Sequence, residues 1–176
     1  MLNHVLAVFT AASQVLLALG IVLMFFPKLR NWIINALGEK GLLLAFLVSI
    51  FAVALSLFYS EIANFEPCKL CWFQRIFMYP QIILLGIALI KKDFKVVNYA
   101  LPLAVIGSLF AIYHIYIFYG GESTFPCSAI SLSGACTKRY VFELGYITIP
   151  LMSLTSFLLL IFSLTIQKLY NKKTSL

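Results

Sequence analysis

The residues of this chain whose types and spacing offer chemistry are four cysteines in two pairs. Cys68 and Cys71 stand two residues apart in Pro67-Cys68-Lys69-Leu70-Cys71-Trp72-Phe73-Gln74-Arg75, where a polar loop gives way to an apolar helix. Thiols so spaced can close a small disulfide ring and reopen it. Cys71 begins the helix, where the macrodipole and unsatisfied N–H groups favour a thiolate. The closed loop is very small, so loop-closure entropy makes the ring a poor staple and points to reversible oxidation. Cys127 and Cys136, with eight residues between them, lie in a stretch rich in Gly and Ser that runs from Gly120 to about Leu144. Such a stretch is expected to let the second pair approach both an outside partner and the first pair. Two inert staples in an oxidising compartment are the structural alternative. A zinc site needs four suitably spaced ligands, and no histidine is near either pair in sequence, so no metal is expected.

Three further features stand beside the cysteines. Arg75 follows Cys71 by four residues, so the two share a helix face at about 6 Å, with Gln74 beside them. Arg75 either snorkels to the headgroups from the first helical turn or serves as a cation for the Cys71 thiolate or a carbonyl oxygen of a bound acceptor. His114 lies mid-span in an apolar segment and reads as a buried hydrogen-bonding group or a proton carrier. Tyr113, Tyr116 and Tyr119 recur at helical spacing and read as an aromatic belt or a packing seam.

What must position these residues is a membrane-spanning scaffold. The 176 residues are 62% hydrophobic and 11% charged, with a mean hydropathy of +1.01. Soluble domains carry about 25% charged residues, so this chain lacks the polar surface to stay in water. Apolar runs long enough to cross a bilayer are expected over about Val5–Phe26, Gly41–Tyr59, Cys71–Ile90, Asn98–Tyr119 and Gly145–Ile166. The first is read as a retained helix, since no Lys or Arg precedes it and it is longer than a signal core. The connector from Lys28 to Lys40, with Trp32, Ile33, Ile34 and Leu37, is expected to form a short interfacial helix. In lipid every backbone polar group must be satisfied internally, so the fold class is an all-α integral membrane helix bundle.

Five spans put the termini on opposite sides, and the basic residues choose between them. Lys28, Arg30, Lys40, Lys91, Lys92, Lys95, Lys168, Lys172 and Lys173 fall on one side, and only Lys69, Arg75, Lys138 and Arg139 on the other. The positive-inside rule makes the first side cytoplasmic, so the N-terminus and both cysteine-bearing loops are expected outside. The same placement in short loops accounts for the net charge of +7 and excludes a nucleic-acid partner. The second and third spans form a hairpin with a cysteine pair at its outer end, and so do the fourth and fifth. Packed side by side, the hairpins bring the two outer loops together.

Cys68-x-x-Cys71-x-x-Gln74-Arg75 at the head of a span resembles the DsbB family of bacterial disulfide bond formation proteins. Leu144-Gly145-Tyr146-Ile147-Thr148-Ile149-Pro150 looks like its BdbC branch. The resemblance covers about Gly41 to Ile166. It implies a four-helix core over residues 41–176, preceded by an extra span and connector over residues 1–40, in the bacterial cytoplasmic (inner) membrane. It also implies the relay already known for that family, in which a DsbA-like thioredoxin-fold thiol oxidase is reoxidised and membrane quinone, ubiquinone or menaquinone, takes the electrons. Carried over by matching positions, Cys127 would form the mixed disulfide with the partner and Cys136 would connect that pair to Cys68. Cys71 would face the quinone, with Arg75 polarising it. No nucleotide motif or haem-type C-x-x-C-H offers another electron route. An outward-directed reductant relay and a membrane scaffold with structural disulfides are the alternatives.

Overall fold

The computed structural model describes residues 2–121 and 141–174, so Cys127 and Cys136 lie outside the described residues. The described chain is helical. Helix α1 spans Leu2–Met24, α2 Pro27–Leu37, α3 Gly41–Leu57, α4 Lys69–Lys91, α5 Val97–Phe118 and α6 Ile149–Thr174. Five of them, all but α2, are long and apolar enough to cross a membrane, and the chain is a multi-pass membrane protein. The connector forms a short helix, α2, started by Pro27 at a position where a proline costs no hydrogen bond.

Helices α3, α4, α5 and α6 form a closed ring, each packed on the next, while α1 and α2 lean on α6. Without a hydrophobic drive between helices in lipid, close packing needs small residues at the crossings. Ala45, Ala88, Ala100, Ala104 and Ala111 are buried there, beside Leu42, Leu85, Leu160 and Leu164. Gly107 of α5 makes the closest approach: a Cβ added to it would collide with the ring of Phe157, which is fully buried on α6. Amide side chains supply polar ties between helices. Gln81 donates to the Ala100 carbonyl at 2.8 Å, and Leu42 N–H donates to Gln167 Oε1 at 3.0 Å. Gln14 on α1 donates to Thr155 Oγ1 on α6 at 2.9 Å, which fixes the first span to the ring.

Two helices, α3 and α6, depart from the expected spans at three boundaries. Helix α3 continues through a π turn over Phe58–Ile62, so the polar loop before Cys68 is shorter than its composition suggests. The last span begins at Ile149, not Gly145, because Leu144 and Gly145 sit at φ 52° and 78° in a tight turn closed by a bridge between Glu143 and Ile147. It then runs past Ile166 to Thr174. Hydropathy ends where the bilayer ends, whereas backbone hydrogen bonding carries α6 about two more turns into the basic tail. There Lys173 Nζ donates to Asn35 Oδ1 of α2 at 2.9 Å, which joins two of the basic segments at one end of the bundle.

Gly107→Ala is expected to destabilise the detergent-solubilised protein by about 1–3 kcal/mol, the usual range for an overpacked core. Thermal unfolding checks this. An unchanged Tm would show that the Gly107–Phe157 contact does not set the spacing of α5 and α6.

Candidate redox site at the head of α4

The first turn of α4 builds the site. Cys68 is its N-cap, with extended backbone at φ −71° and ψ 168°, and its sulfur accepts the Cys71 N–H at 3.4 Å. This is the position where a side-chain acceptor satisfies one of the orphan amides of a helix start, filled here by sulfur. The cap folds the two side chains together, and Cys68 Sγ and Cys71 Sγ lie 3.2 Å apart, at hydrogen-bonding contact. Cys68 is 2% exposed and Cys71 half-buried, so the pair has one inner and one outer sulfur.

Behind the inner sulfur stands His114. Helices α4 and α5 are antiparallel, so the last turns of α5 lie against the first turn of α4. His114 Nε2 is 3.5 Å from Cys68 Sγ, and its Nδ1 is 3.1 Å from the amide nitrogen of Gln74. The histidine is 3% exposed, and Leu70, Phe110, Tyr113 and Ile117 wall in the cluster. This corrects two expectations. His114 lies near the end of α5, not mid-span, and a histidine is near the first cysteine pair in space although distant in sequence. Antiparallel packing brings residues 68 and 114 together, and spacing along the chain carries no trace of that.

The outer sulfur opens on a cleft of about 110 Å³ between α3, α4 and α6, lined by Ser56, Cys71, Gln74, Arg75, Met78 and Met152, among others. Arg75 is only 7% exposed. Its Nε donates to Ser56 Oγ and its Nη2 to the Ser56 carbonyl, both at 2.9 Å, and its guanidinium lies 5.2 Å from the Trp72 ring centroid. A snorkelling side chain would reach outward; this one is drawn across to α3 and fixed there. An arginine has five N–H donors, so three remain beyond the two that Ser56 takes.

All the candidate residues of the first pair therefore converge, with Gln74 touching both halves of the site. Ser56, with Tyr59, Ser153 and Ser156 in the same cleft, was not singled out from sequence. One signal existed: Ser49 and Ser56 are seven residues apart, hence on one helix face, and a polar residue on an apolar span needs a partner. The tyrosine stripe divides. Tyr113 packs against the cysteine cluster, whereas Tyr116 and Tyr119 are exposed.

With this geometry in hand, comparison with known proteins is decisive. The family model for disulfide bond formation protein DsbB matches residues 39–167. The chain belongs to the DsbB family. "Probable disulfide formation protein C 1" of Bacillus cereus is 43% identical over 126 residues, covering 68% of this chain and 86% of that protein. "SPbeta prophage-derived disulfide bond formation protein B" of Bacillus subtilis is 44% identical over 131 residues, covering 74% and 86%. "Disulfide bond formation protein C" of the same species is 40% identical over 128 residues, covering 70% and 89%. No solved structure matches. The DsbB match takes in α3, α4, α5 and α6 as far as Gln167, and leaves α1 and α2 outside.

With Cys127→Ser and Cys136→Ser in place, mild oxidation is expected to remove two hydrogens per chain and protect Cys68 and Cys71 from alkylation, read by intact mass. The sulfurs need approach by only about 1 Å to reach a disulfide bond length. Two thiols still open to alkylation after oxidation would contradict the contact.

Proposed function

We propose that this chain is a thiol:quinone oxidoreductase that reoxidises an extracytoplasmic DsbA-like thiol oxidase and so supports disulfide formation in exported proteins. One observation carries the reading: a contacting dithiol at a helix start, with its outer sulfur on an apolar cleft that also holds an anchored guanidinium. Membership of the DsbB family supports it, as do the names of its relatives, which speak of disulfide formation.

The cleft suits a quinone by its donor set and its walls. Ala52, Val53, Leu55, Met78, Ile149 and Met152 offer apolar surface for a ring, and Arg75 offers N–H donors for a carbonyl oxygen. The cleft, about 110 Å³ and open on one side, is smaller than the ~150 Å³ dry cavity that admits benzene, so a quinone would enter it by one edge with the rest of the ring and the tail outside. When bound, quinone supplies a lipid-soluble sink for two electrons. The remaining work falls to the chain. The α4 N-terminus favours the Cys71 thiolate. Ser56 holds Arg75 in place, so the cation that meets developing negative charge is already oriented. Apolar walls keep water from weakening that interaction. Closure of the Cys68–Cys71 dithiol gives up two electrons and two protons. Exchange with the Cys127/Cys136 dithiol through Cys136 and Cys68 then reopens it and leaves a Cys127–Cys136 disulfide. The reduced partner breaks that disulfide by forming a mixed disulfide at Cys127 and leaves as its own disulfide.

For a two-electron couple, about 30 mV is worth about 1.4 kcal/mol. A partner that is itself a strong oxidant is therefore reoxidised only if the terminal acceptor lies well downhill. The proposed orientation follows from the nine basic residues gathered on one side: cysteine loops and N-terminus outside, C-terminus in the cytoplasm. Residues 41–176 make up the redox core, and residues 1–40 an added span and connector.

Purified protein supplied with a reduced thioredoxin-fold dithiol and quinone tests the reading. Cys71→Ser is expected to abolish quinone reduction. Arg75→Ala is expected to raise the quinone KM by about tenfold, near 1.4 kcal/mol, with Cys68–Cys71 still able to oxidise. Turnover unaffected by Cys71→Ser would refute the proposal, and an unchanged KM in Arg75→Ala would remove the guanidinium from it.

A further inference from the structure

The cluster behind α4 has a second chemistry that disulfide exchange does not use. Cys68 Sγ, Cys71 Sγ and one ring nitrogen of His114 lie within 4.8 Å of one another. Two thiolates and an imidazole are the donors that zinc and other borderline-soft cations take, with bonds of about 2.3 Å to sulfur and 2.0–2.1 Å to nitrogen. Tetrahedral angles at those bond lengths put ligand sulfur and nitrogen about 3.6 Å apart and two sulfurs about 3.8 Å apart. The Cys68–His114 separation is 3.5 Å, already at that value; the sulfurs, at 3.2 Å, would open by about half an ångström, and Cys71 Sγ, within 4.8 Å of the imidazole nitrogen, would adjust to about 3.6 Å.

Gln74 is placed to act as the outer partner of a ligating histidine once its amide is turned over, although as it stands its amide nitrogen faces Nδ1. A ligating histidine nearly always donates its other ring N–H to a neighbouring acceptor, which fixes the tautomer and the ring plane. Gln74 stands at His114 Nδ1 at 3.1 Å. Amide nitrogen and oxygen exchange places by rotating about the last side-chain bond, so Gln74 can present its oxygen to Nδ1–H and leave Nε2 for a cation. Access comes from the cleft through half-buried Cys71.

We propose that the dithiol form of this protein binds one zinc-like divalent cation through Cys68, Cys71 and His114, with Gln74 as the positioning residue. The balance is simple: two thiols and one divalent cation give a dithiolate complex and release two protons, with no change of oxidation state. A disulfide between Cys68 and Cys71 has no thiolate to offer, so cation and disulfide exclude each other. A cation so bound holds the pair as the dithiolate and keeps it from closing to the disulfide. The inference needs only the dithiol and not any particular electron acceptor, so it stands or falls apart from the proposed function.

The test uses the full chain in detergent with Cys127→Ser and Cys136→Ser, reduced, without quinone or partner, and with Zn²⁺ or Co²⁺ as the probe. One cation per chain is expected after desalting, with none on the oxidised protein. X-ray absorption of the zinc form should show two sulfurs at about 2.3 Å and nitrogen at about 2.0–2.1 Å. His114→Ala should weaken binding at least tenfold and alter the visible Co²⁺ spectrum, and Gln74→Ala should weaken it about tenfold with the spectrum kept. Absence of a stoichiometric cation would overturn the proposal. So would a shell without nitrogen, or equal binding by oxidised protein. Because the absorption measurement needs no change at His114, a folding defect in His114→Ala would not mask the outcome.

Discussion

Burial of a cation without a carboxylate is the constraint around which the cysteine end of this protein is arranged. Among the described residues Arg75 has no acidic partner; it is held by the hydroxyl and carbonyl of Ser56 and by the face of Trp72. In an apolar span an uncompensated charge is costly, and such residues turn toward the bundle interior or a cavity. Meeting that demand draws the first turn of α4 against α3. On the opposite flank, Cys68 and Gln74 reach His114 of α5. The dithiol is therefore pinned from both sides, with its two sulfurs in different surroundings.

That asymmetry gives the sulfurs different tasks. The buried one caps the helix and touches an imidazole; the half-buried one borders a cleft with a fixed guanidinium. A symmetric, solvent-facing dithiol would exchange with any thiol it met. Here the helix start, the cleft walls and the neighbours of each sulfur restrict what can reach it, and α5 and α6 hold that geometry through the Gly107–Phe157 contact. Helix α1 lies outside the ring, though its Asn3 accepts a hydrogen bond from Tyr59 of the cleft lining at 3.3 Å. Its Gln14 bonds to Thr155 on α6, away from the cysteines, consistent with a family match that starts only at residue 39.

Much of the architecture was legible in the chain, because hydropathy acts over whole helices. The five spans and the short connector helix follow from it. Their ends were less legible: the π turn after Leu57 and the extension of α6 to Thr174 depend on backbone hydrogen bonding that continues after apolar character stops. Within the site, local geometry could be read and tertiary geometry could not. Cys68, Cys71, Gln74 and Arg75 lie within two helical turns, so their convergence is a matter of helical pitch. His114 and Ser56 come from other helices, 46 residues after Cys68 and 19 before Arg75, and only packing brings them in.

The central claim is that the outer sulfur meets its electron acceptor in the cleft between α3, α4 and α6. Photo-crosslinking with an azido-quinone, followed by peptide mapping, addresses that claim directly. The account predicts label on cleft-lining residues such as Ser56, Met78 and Met152. Label confined to the separate groove around Leu16, Trp32 and Phe162, with the cleft unmarked, would contradict it.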